Sequence, residues 1–557
     1  MDDRGYAYDL VGVGTPVNQQ SHRMEEGKLW RQYLIAAAAN IVVACTGYSM
    51  GWTAPVNPKL VDNSTSSSPL EDIPTKDELA WMGSLLTVGA IFGPFIGGLA
   101  ASKIGRKWGL MTSSIPLFLG WILVALATNM GYLYAGRILW GVAVGMIFTI
   151  SPMYCAEIAT DDVRGALGSY LQMFITVGFI LIYSMGPYVS YHVIAYVGIV
   201  CVAFFCVVFF FMPETPTYFL LKNDREAAAR CLCTLRGRSR SGVEAELSKI
   251  EIDVKASMEK TATIMDIFRG SNFKAFYISC ALVLFQQFSG INAVLFYMTD
   301  IFKDSGTDLD PAVATIIIGA VQLVASFITP FVVDRLGRRL LLLVSSCGTA
   351  IGLILLGMFF LLVANGSEVV AKIAFLPILS LVLFIVTYCW GLGPLPWAVM
   401  SELFPIEVKA VASPIATAFC WFLSFLVTSN NFFIKCRFCR LNYVYGGVES
   451  HNSVPVSREI QKCICFRFFE PIAIALGRYT AFWIFAVFCV IAFFFTMFLV
   501  PETKGKSFQE IQDMLAGRYT ETPQRLIALC QNLLTCLVFR LLLAFRQNLR
   551  GYLKRSS

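Results

Sequence analysis

Three side-chain amides in the middle of an apolar run are the residues best suited to bind a polar ligand. Gln286 and Gln287 are adjacent, Asn292 follows, and the surrounding run from Ala275 to Phe302 is about as long as a membrane-spanning helix. Amides at bilayer depth are unfavourable unless they face protein or a water-filled cavity. Each amide supplies both donors and acceptors, which suits the vicinal hydroxyls of a sugar. The stretch therefore predicts a sugar-binding site inside a membrane.

Helical geometry sets a condition on this site. At about 100° per residue, one arc of about 120° holds Gln286, Ser289, Asn292 and Phe296. Gln287 points about 100° away from Gln286, so it can share a cavity with Asn292 only if the helix loosens near Ser289-Gly290. Glycine permits such a departure. The alternative is that the amides only bridge neighbouring helices.

The composition is that of a polytopic membrane protein. The 557 residues are 56% hydrophobic and only 15% charged. The net charge of +7 is better explained by Lys and Arg in cytoplasmic loops than by an anionic partner, and there is no nucleic-acid signature. The cysteines are scattered through apolar spans, so no disulfide framework is expected. The first thirty residues have no apolar core, so we expect no cleavable signal peptide.

The hydrophobic runs predict an all-α protein with twelve transmembrane helices. They lie near 31–54, 79–101, 109–128, 131–155, 166–187, 191–212, 274–302, 311–333, 340–364, 372–400, 409–433 and 479–500. An even number of spans puts both termini on one side of the membrane. Basic residues follow the second and eighth spans, so the positive-inside rule makes these loops and the termini cytoplasmic. For Lys103 and Lys107 a role as topology signals is sufficient.

The expected organisation is two six-helix halves with a linker and two tails. The segments are a cytoplasmic tail 1–30, a first half 31–212, a cytoplasmic linker with short amphipathic helices 213–272, a second half 273–500 and a cytoplasmic tail 501–557. Within the last, residues 525–552 predict an interfacial helix. Asn63 and Asn365 begin glycosylation sequons in loops predicted to be extracellular.

An internal repeat supports the two halves. Gly105-Arg106-Lys107 recurs 232 residues later as Gly337-Arg338-Arg339. Glu157 and Arg164 recur as Glu402 and Lys409 at an offset of 245, and Pro213-Glu214-Thr215 recurs as Pro501-Glu502-Thr503 at an offset of 288. The halves are therefore copies of one unit. The growth of the offset leaves 43 extra residues between spans 11 and 12, which must lie in about 435–478.

This insert is atypical for an extracellular loop because it is rich in basic residues. Two cysteine pairs superficially suggest a metal site: Cys436 with Cys439, and Cys463 with Cys465. The second pair has a CxC spacing that structural zinc sites rarely use, so we expect no metal. An irregular insertion or a mis-spliced segment is favoured.

Taken together, the motifs resemble those of the sugar porters of the major facilitator superfamily. The set comprises Gly105-Arg106-Lys107, Arg137 with Gly141 and Gly145, Pro152-x-Tyr154-x-x-Glu157 with Arg164-Gly165, Pro213-Glu214-Thr215-Pro216, Gln286 to Asn292, Asp334 to Arg339, Gly393 to Trp397, and Pro501 to Gly505. The resemblance covers roughly 30–434 and 474–515. Its nearest branches are proteins similar to facilitated trehalose transporters and to facilitative glucose transporters.

The resemblance implies a set of site residues. Sugar contact is carried onto Gln172, Gln286, Gln287, Asn292, Gln322, Trp397 and Trp421, an outer gate onto Phe296 and Tyr297, and a flexible span 10 onto Gly393, Pro394 and Pro396. A helix-to-helix hydrogen bond is the alternative for Gln172, and an interfacial anchor is the alternative for each tryptophan. Gln322 stands where the family usually has Asn, and Cys389 where many glucose porters have Glu. Hexose selectivity therefore does not carry over.

Charged residues of the motifs predict a gate at the cytoplasmic face. The expected network comprises Arg106, Glu157, Arg164, Asp334, Arg338, Arg339 and Glu402. Ion pairs present in only one state would bias the equilibrium between states. Ser102 occupies the position of Asp334 in the first half, so the inner lock is expected to be asymmetric.

Energy coupling is argued from the intramembrane charge Arg137. Proton-coupled relatives carry an Asp on span 1 near this arginine, whereas Ser49 stands here. We therefore expect a passive sugar uniporter in the plasma membrane that works by alternating access and functions as a monomer in the lipid bilayer. A proton-coupled symporter and a non-transporting sugar sensor are the alternatives. No nucleophile, metal or acid-base constellation is present, so we expect neither an enzyme nor a cofactor.

Overall fold

The computed structural model describes residues 28–61, 69–160, 162–258, 264–292, 294–295, 311–367, 369–428, 478–506 and 508–517, and their regular structure is helical. The first half contains α1 (Leu29–Gly51), α2 (Thr53–Val61), α3 (Lys76–Lys103), α4 (Arg106–Ala125), α5 (Met130–Ile158), α6 (Arg164–Gly168), α7 (Tyr170–Met185) and α8 (Tyr191–Phe210). The linker contains α9 (Pro216–Leu221), α10 (Arg225–Arg236), α11 (Arg240–Met258) and a 3-10 turn (Ile264–Phe268). The second half contains α12 (Gly270–Phe288), α13 (Pro311–Leu336), α14 (Arg338–Ala364), α15 (Val369–Lys372), α16 (Leu376–Trp390), α17 (Leu395–Leu403), α18 (Ile406–Thr428) and α19 (Arg478–Leu499), and α20 (Phe508–Leu515) follows it.

Several predictions from the sequence lie outside the described residues. They concern Asn63, Phe296, Tyr297, the side chain of Asp334, the segment 435–477 of the insert, and residues 1–27 and 518–557 of the tails.

The helices are long and apolar enough to cross a membrane many times. In the described part of the chain, 10 helical segments meet this criterion, and Val411–Val427 within α18 is a shorter apolar helix. The predicted seventh span corresponds to α12, which ends at Phe288 and carries two amides in its last turn. α12 has 19 residues, so its polar residues rather than its length set it apart from these 10 segments.

The loop between α3 and α4 and the loop between α13 and α14 have the same construction. Gly105 has φ +101° and Gly337 has φ +87°, and a Cβ at either position would lie within 2.6 Å of a carboxylate oxygen of Glu214 or Glu502, respectively. Glu214 accepts hydrogen bonds from the first two N–H groups of α4, and Glu502 accepts them from the first two of α14. The repeat read from the sequence is therefore also a structural repeat.

Close glycine contacts hold the first half together. α3 packs along α5, and a Cβ at Gly141 would lie 2.0 Å from the carbonyl oxygen of Leu86. α1 packs along α7 in the same way, since a Cβ at Gly47 would lie 2.1 Å from the carbonyl oxygen of Ile175. Small residues allow helix backbones to approach closely in a membrane. These helices therefore form a tightly packed unit.

The two halves meet through two symmetry-related helix pairs. α3 of the first half packs on α18 of the second, and α7 packs on α13. At the end of the bundle that holds Arg106, Arg338 and the linker, which we call the basic face, α17 also contacts α5 and α6. The halves are therefore in contact at the basic face in this conformation.

The linker is docked on the first half. Arg236 of α10 is buried, and it donates to the carbonyl of Ile158 at 2.7 Å and pairs with Glu246 of α11 at 2.6 Å. The backbone N–H of Lys28 donates to the carbonyl of Arg236 at 2.9 Å. These bonds fix the linker to the ends of α1 and α5, so it is an ordered part of the basic face.

Candidate functional site

The central helix of the second half is broken where the three amides lie. α12 ends at Phe288, and Gly290 has φ +82°, a conformation that favours glycine. Helical backbone resumes at Ile291, and the N–H of Val294 donates to the carbonyl of Gly290 at 2.9 Å. The structure thus has the break that the helical angles require.

The break brings two of the amides into direct contact. Asn292 donates from Nδ2 to Oε1 of Gln287 at 2.7 Å and to Oγ of Ser424 at 3.2 Å. Gln287 donates from Nε2 to Sγ of Cys420 at 3.1 Å. Cys420 and Ser424 are four residues apart and therefore share one face of α18. The amide pair is thus held against one face of α18.

Gln286 shares Cys420 with Gln287, since Sγ of Cys420 donates to Oε1 of Gln286 at 3.9 Å, but the amide nitrogen of Gln286 has acceptors of its own. Its Nε2 donates to the carbonyl of Leu392 at 2.9 Å and to that of Gly393 at 2.7 Å. These carbonyls lie in the gap between α16 and α17, where the helical hydrogen-bond pattern is interrupted before Pro394. Gln286 therefore stabilises the break in span 10. Both N–H groups of its side-chain amide thus donate to protein carbonyls.

Three aromatic rings meet between the two halves. Phe148 of α5 packs edge-on against Trp397 of α17, with ring centroids 5.2 Å apart, and against Trp421 of α18 at 5.3 Å. All three side chains are buried. The resemblance led to both tryptophans but not to Phe148, because no motif residue marks its position on α5. The first half thus contributes an aromatic side chain to the same site.

Several polar side-chain atoms of the described second half are buried without a hydrogen-bond partner. Two of them lie on helices that pack against the first half: Oε1 of Gln322 on α13, an acceptor, and Nε1 of Trp421 on α18, a donor. Gln322 is only 1% exposed and Trp421 5%. Buried polar atoms are normally satisfied, so an acceptor and a donor without partners indicate a place for a polar ligand.

Gln172 approaches the site from the first half. A Cβ at Gly393 would lie 3.3 Å from Cδ of Gln172, so this side chain lies against the break in span 10. Nearby, the hydroxyl groups of Thr176 and Ser326 lie 3.3 Å apart and join α7 to α13. The hydroxyl link was not found from the sequence because single Thr and Ser residues in apolar spans carry no distinctive pattern. Cys389 is fully buried, and its carbonyl accepts from Thr329 at 3.0 Å.

The intramembrane Arg137 is satisfied by backbone carbonyls. Its guanidinium donates to the carbonyls of Met82 at 2.9 Å, Ser49 at 3.1 Å and Gly83 at 3.4 Å. In the described part of the chain, none of its recorded partners is a carboxylate. The side chain of Ser49 instead donates to the carbonyl of Thr46 at 2.8 Å. The structure therefore provides this arginine with fixed acceptors that do not titrate.

At the basic face the arginines pair with glutamates of their own half. Arg106 pairs with Glu157 at 2.9 Å, and Arg338 pairs with Glu402 at 3.0 Å. Arg339 donates to the carbonyl of Met497. Lys409 of the second half lies close enough to interact electrostatically with Glu157 and Arg164 of the first. The ion pairs of Arg106 and Arg338 thus stabilise each half separately, and Lys409 lies where the two halves meet.

Burial raises the pKa of the Glu214 carboxyl at the basic face above its ordinary value. The N–H groups of Thr215 and Lys107 donate to this carboxylate and oppose the shift.

On the opposite face, Asn365 is exposed at the end of α14. No cluster of metal-ligating side chains occurs among the described residues.

The fold and the site define a multi-pass membrane transporter with two pseudo-symmetric halves and a polar, aromatic site between them. The chain belongs to the family described as sugar (and other) transporter, whose model matches residues 19–447 and 456–515.

Comparison with individual proteins agrees with this assignment. The chain is 32% identical over 496 residues to the facilitated trehalose transporter Tret1 of Apis mellifera ligustica, covering 88% of this chain and 89% of that protein. It is also 32% identical to Tret1 of Polypedilum vanderplanki, again covering 88% and 89%. It spans about half (48%) of the longer Tret1 of Drosophila grimshawi, at 32% identity.

The fold is that of a solved transporter of the major facilitator superfamily. The proton:xylose symporter XylE bound to 6-bromo-6-deoxy-D-glucose matches with a TM-score of 0.68 and 22% identity, covering 87% of this chain and 99% of that one. The inward-open conformation of the xylose transporter XylE from E. coli matches with a TM-score of 0.57 and 21% identity, covering 87% and 100%.

Proposed function

We propose that the protein is a facilitative sugar transporter whose substrate is trehalose. The observation that carries this proposal is the amide pair Gln287–Asn292 at the Gly290 break, held against α18 in the second half. Two relatives that align along nearly nine-tenths of both chains are named facilitated trehalose transporters, which favours this disaccharide over a hexose.

The sugar is held by a few polar atoms and two indoles. Oε1 of Gln322 accepts from a sugar hydroxyl, Nε1 of Trp421 donates to one, and the ring of Trp397 packs against the apolar face of a sugar ring. Gln287 and Asn292 exchange their mutual hydrogen bond for bonds to hydroxyls when the sugar enters. Gln172 contributes from the first half, so the sugar contacts both halves.

Transport follows from rocking of the two halves about this site. In the conformation described, the halves touch at the basic face through α17 with α5 and α6. Separation of these contacts opens the site to the basic face. The break in span 10 lets α17 move relative to α16 because the gap contains few helical hydrogen bonds of its own and is supported by Gln286. Phe296 and Tyr297 are proposed to close the opposite side.

The transport is proposed to be passive. Arg137 binds three carbonyls, and Ser49 stands where a titratable acid would be required for proton coupling. Because the acceptors of Arg137 are backbone carbonyls and residue 49 is a serine, this position has no carboxylate that could take up and release a proton during sugar transport.

The protein is proposed to reside in the plasma membrane as a monomer, with both termini and the basic face in the cytoplasm. The concentration of arginine and lysine at the basic face supports this orientation. The exposed position of Asn365 at the opposite end suits glycosylation of an extracellular loop.

The test is uptake of radiolabelled trehalose and glucose by cells that lack sugar transporters of their own. Expression of the full chain is expected to raise trehalose uptake more than glucose uptake, with saturation at high sugar. A parallel chain without residues 435–478 shows whether the insert affects transport. Absence of sugar-dependent flux in the presence of surface protein that binds trehalose would support a sensor instead.

A further inference from the structure

A groove on the basic face of the first half is not part of the sugar path. It lies where α3 ends and α4 begins, has a volume of about 600 Å³ and is lined by Lys103, Ile104, Trp108, Glu214 and Tyr218, among others. Trp108 is 46% exposed and Ile104 41%, although both residues are large and apolar. Since α4 is a membrane span, this exposed apolar surface faces lipid at the level where the span ends.

One lysine lines the groove, and two more lie beside its aromatic residues. The side chain of Lys103 is exposed and makes no recorded ion pair or hydrogen bond within the described part of the chain. Nζ of Lys222 lies 5.8 Å from the ring centroid of Tyr218, and Nζ of Lys107 lies 5.4 Å from that of Trp108. Lys107 also donates to the carbonyl of Phe210 at 2.7 Å. The ammonium groups of Lys103 and Lys222 are thus free to bind an anion.

The acid of the groove does not cancel this charge. The carboxylate of Glu214 accepts from the N–H groups of Arg106 at 3.1 Å, Lys107 at 3.0 Å and Thr215 at 2.9 Å. It therefore already occupies the anion-binding N-terminus of α4. Any further anion must bind nearer the lysine side chains, at the edge of the groove.

We propose that this groove binds an anionic phospholipid, with its phosphate at Lys103 and Lys222 and its acyl chains along Trp108. Basic pockets beside membrane spans bind anionic headgroups, and exposed indoles lie at headgroup depth. The bilayer is the source of the ligand because the apolar side of the groove is continuous with the lipid-facing surface of α4.

The second half offers a comparison. At the repeat offset of 232, Lys103 corresponds to Arg335 and Trp108 corresponds to Leu340. The basic residue is therefore kept while the indole is absent, and Nζ of Lys504 donates to the carbonyl of Arg335 at 2.7 Å. Of these two matched loops, only the loop of the first half has the aromatic side of the proposed lipid site. Arg335→Gln therefore removes a matched basic charge where no such site is proposed, and it serves as the control.

Photolabelling in proteoliposomes tests the proposal. Photoactivatable phosphatidylglycerol is expected to label the peptide that contains Trp108 more strongly than photoactivatable phosphatidylcholine does. Lys103→Gln is expected to reduce this labelling about fivefold, since each lysine near an anionic surface contributes a comparable factor. Arg335→Gln and an excess of inorganic phosphate are expected to leave it unchanged.

Equal labelling by the two lipids, unchanged labelling in Lys103→Gln, or its elimination by inorganic phosphate would overturn the proposal. Lys222→Gln provides a second variant with the same expected direction if Lys103→Gln does not fold. Photolabelling does not depend on sugar flux, so the lipid proposal can fail while the proposed transport function holds, and the reverse.

Discussion

α1 of the first half runs without interruption from Leu29 to Gly51, whereas its counterpart α12 ends at Phe288 and is followed by a glycine with positive φ. The same contrast recurs three spans further on in each half, since α5 is continuous from Met130 to Ile158 while its counterpart is divided into α16 and α17. The halves share their loops but not the continuity of these helices.

This contrast divides the tasks of the molecule. In the first half, glycine contacts join the helix backbones and carbonyls satisfy a buried arginine, so we expect this half to move as one unit. The second half exposes backbone at two breaks, and amide side chains fill the resulting positions. We therefore expect substitutions in the first half to reduce the amount of folded protein, and those at the breaks to reduce transport.

The largest effect on transport is expected for Gln287→Ala. The change removes a sugar-binding amide and leaves Asn292 without its partner, so trehalose uptake per surface molecule should fall about a hundredfold, as expected for the loss of two or more buried hydrogen bonds. The matched control is Asn40→Ala, which removes a buried amide that bonds only within the first half. Its uptake per surface molecule should stay within twofold, and similar losses in both variants would remove the distinction between the halves.

A smaller effect is expected for Gly290→Ala. Alanine would be strained at φ +82°, and its Cβ would lie 2.8 Å from Cδ2 of Phe485, so uptake per surface molecule should fall about tenfold. Gly47→Ala should act differently because its Cβ would meet the backbone oxygen of Ile175, which cannot move away. Surface biotinylation should then show little folded protein for Gly47→Ala. Normal uptake by Gly290→Ala would show that the break is not needed.

The paired arginines should differ modestly in their effect on stability. Arg106→Ala removes the partner of Oε1 of Glu157, and Oε2 of this glutamate already lacks a hydrogen-bond partner. After Arg338→Ala, in contrast, Glu402 still accepts from Thr503 at 2.6 Å. The free energy of unfolding should therefore fall by about 1 kcal/mol more for Arg106→Ala. Thermal unfolding of the two variants in one detergent measures this difference. A larger loss of unfolding free energy for Arg338→Ala would contradict this expected difference between the two ion pairs.

The smallest effect is expected for Ser49→Ala. Arg137 bonds to the carbonyl of residue 49 and not to its side chain, so uptake should remain within twofold at every external pH tested. A new dependence on pH in this variant would mean that the hydroxyl takes part in coupling.

Much of this contrast could be read from the sequence. The repeated glycine-arginine loops and the shared Pro-Glu-Thr motifs give the two halves, and the angle between Gln287 and Asn292 requires a break at Gly290. The fold class is confirmed by the family and by the match to XylE.

Other features depend on tertiary packing that no spacing records. Arg106–Glu157 and Arg338–Glu402 each join residues of one half, and Lys409 lies close to Glu157 across the interface, so closure of the charged network between the halves stays a prediction. The amide nitrogens of Gln286 and Gln287 have different acceptors because of the position of the broken span 10, and Phe148 is brought to the tryptophans only by the packing of α5. Sequence position alone could not assign these contacts.

Passive passage of sugar between the two halves, with movement at the breaks of the second half, is the main function proposed for this protein. Its most direct test is equilibration of labelled trehalose into proteoliposomes that contain the purified chain, with and without an imposed pH gradient. We expect the internal concentration to rise to the external one and no further, at the same rate in both conditions. Accumulation above the external concentration that is driven by the pH gradient would contradict it and establish a proton symporter.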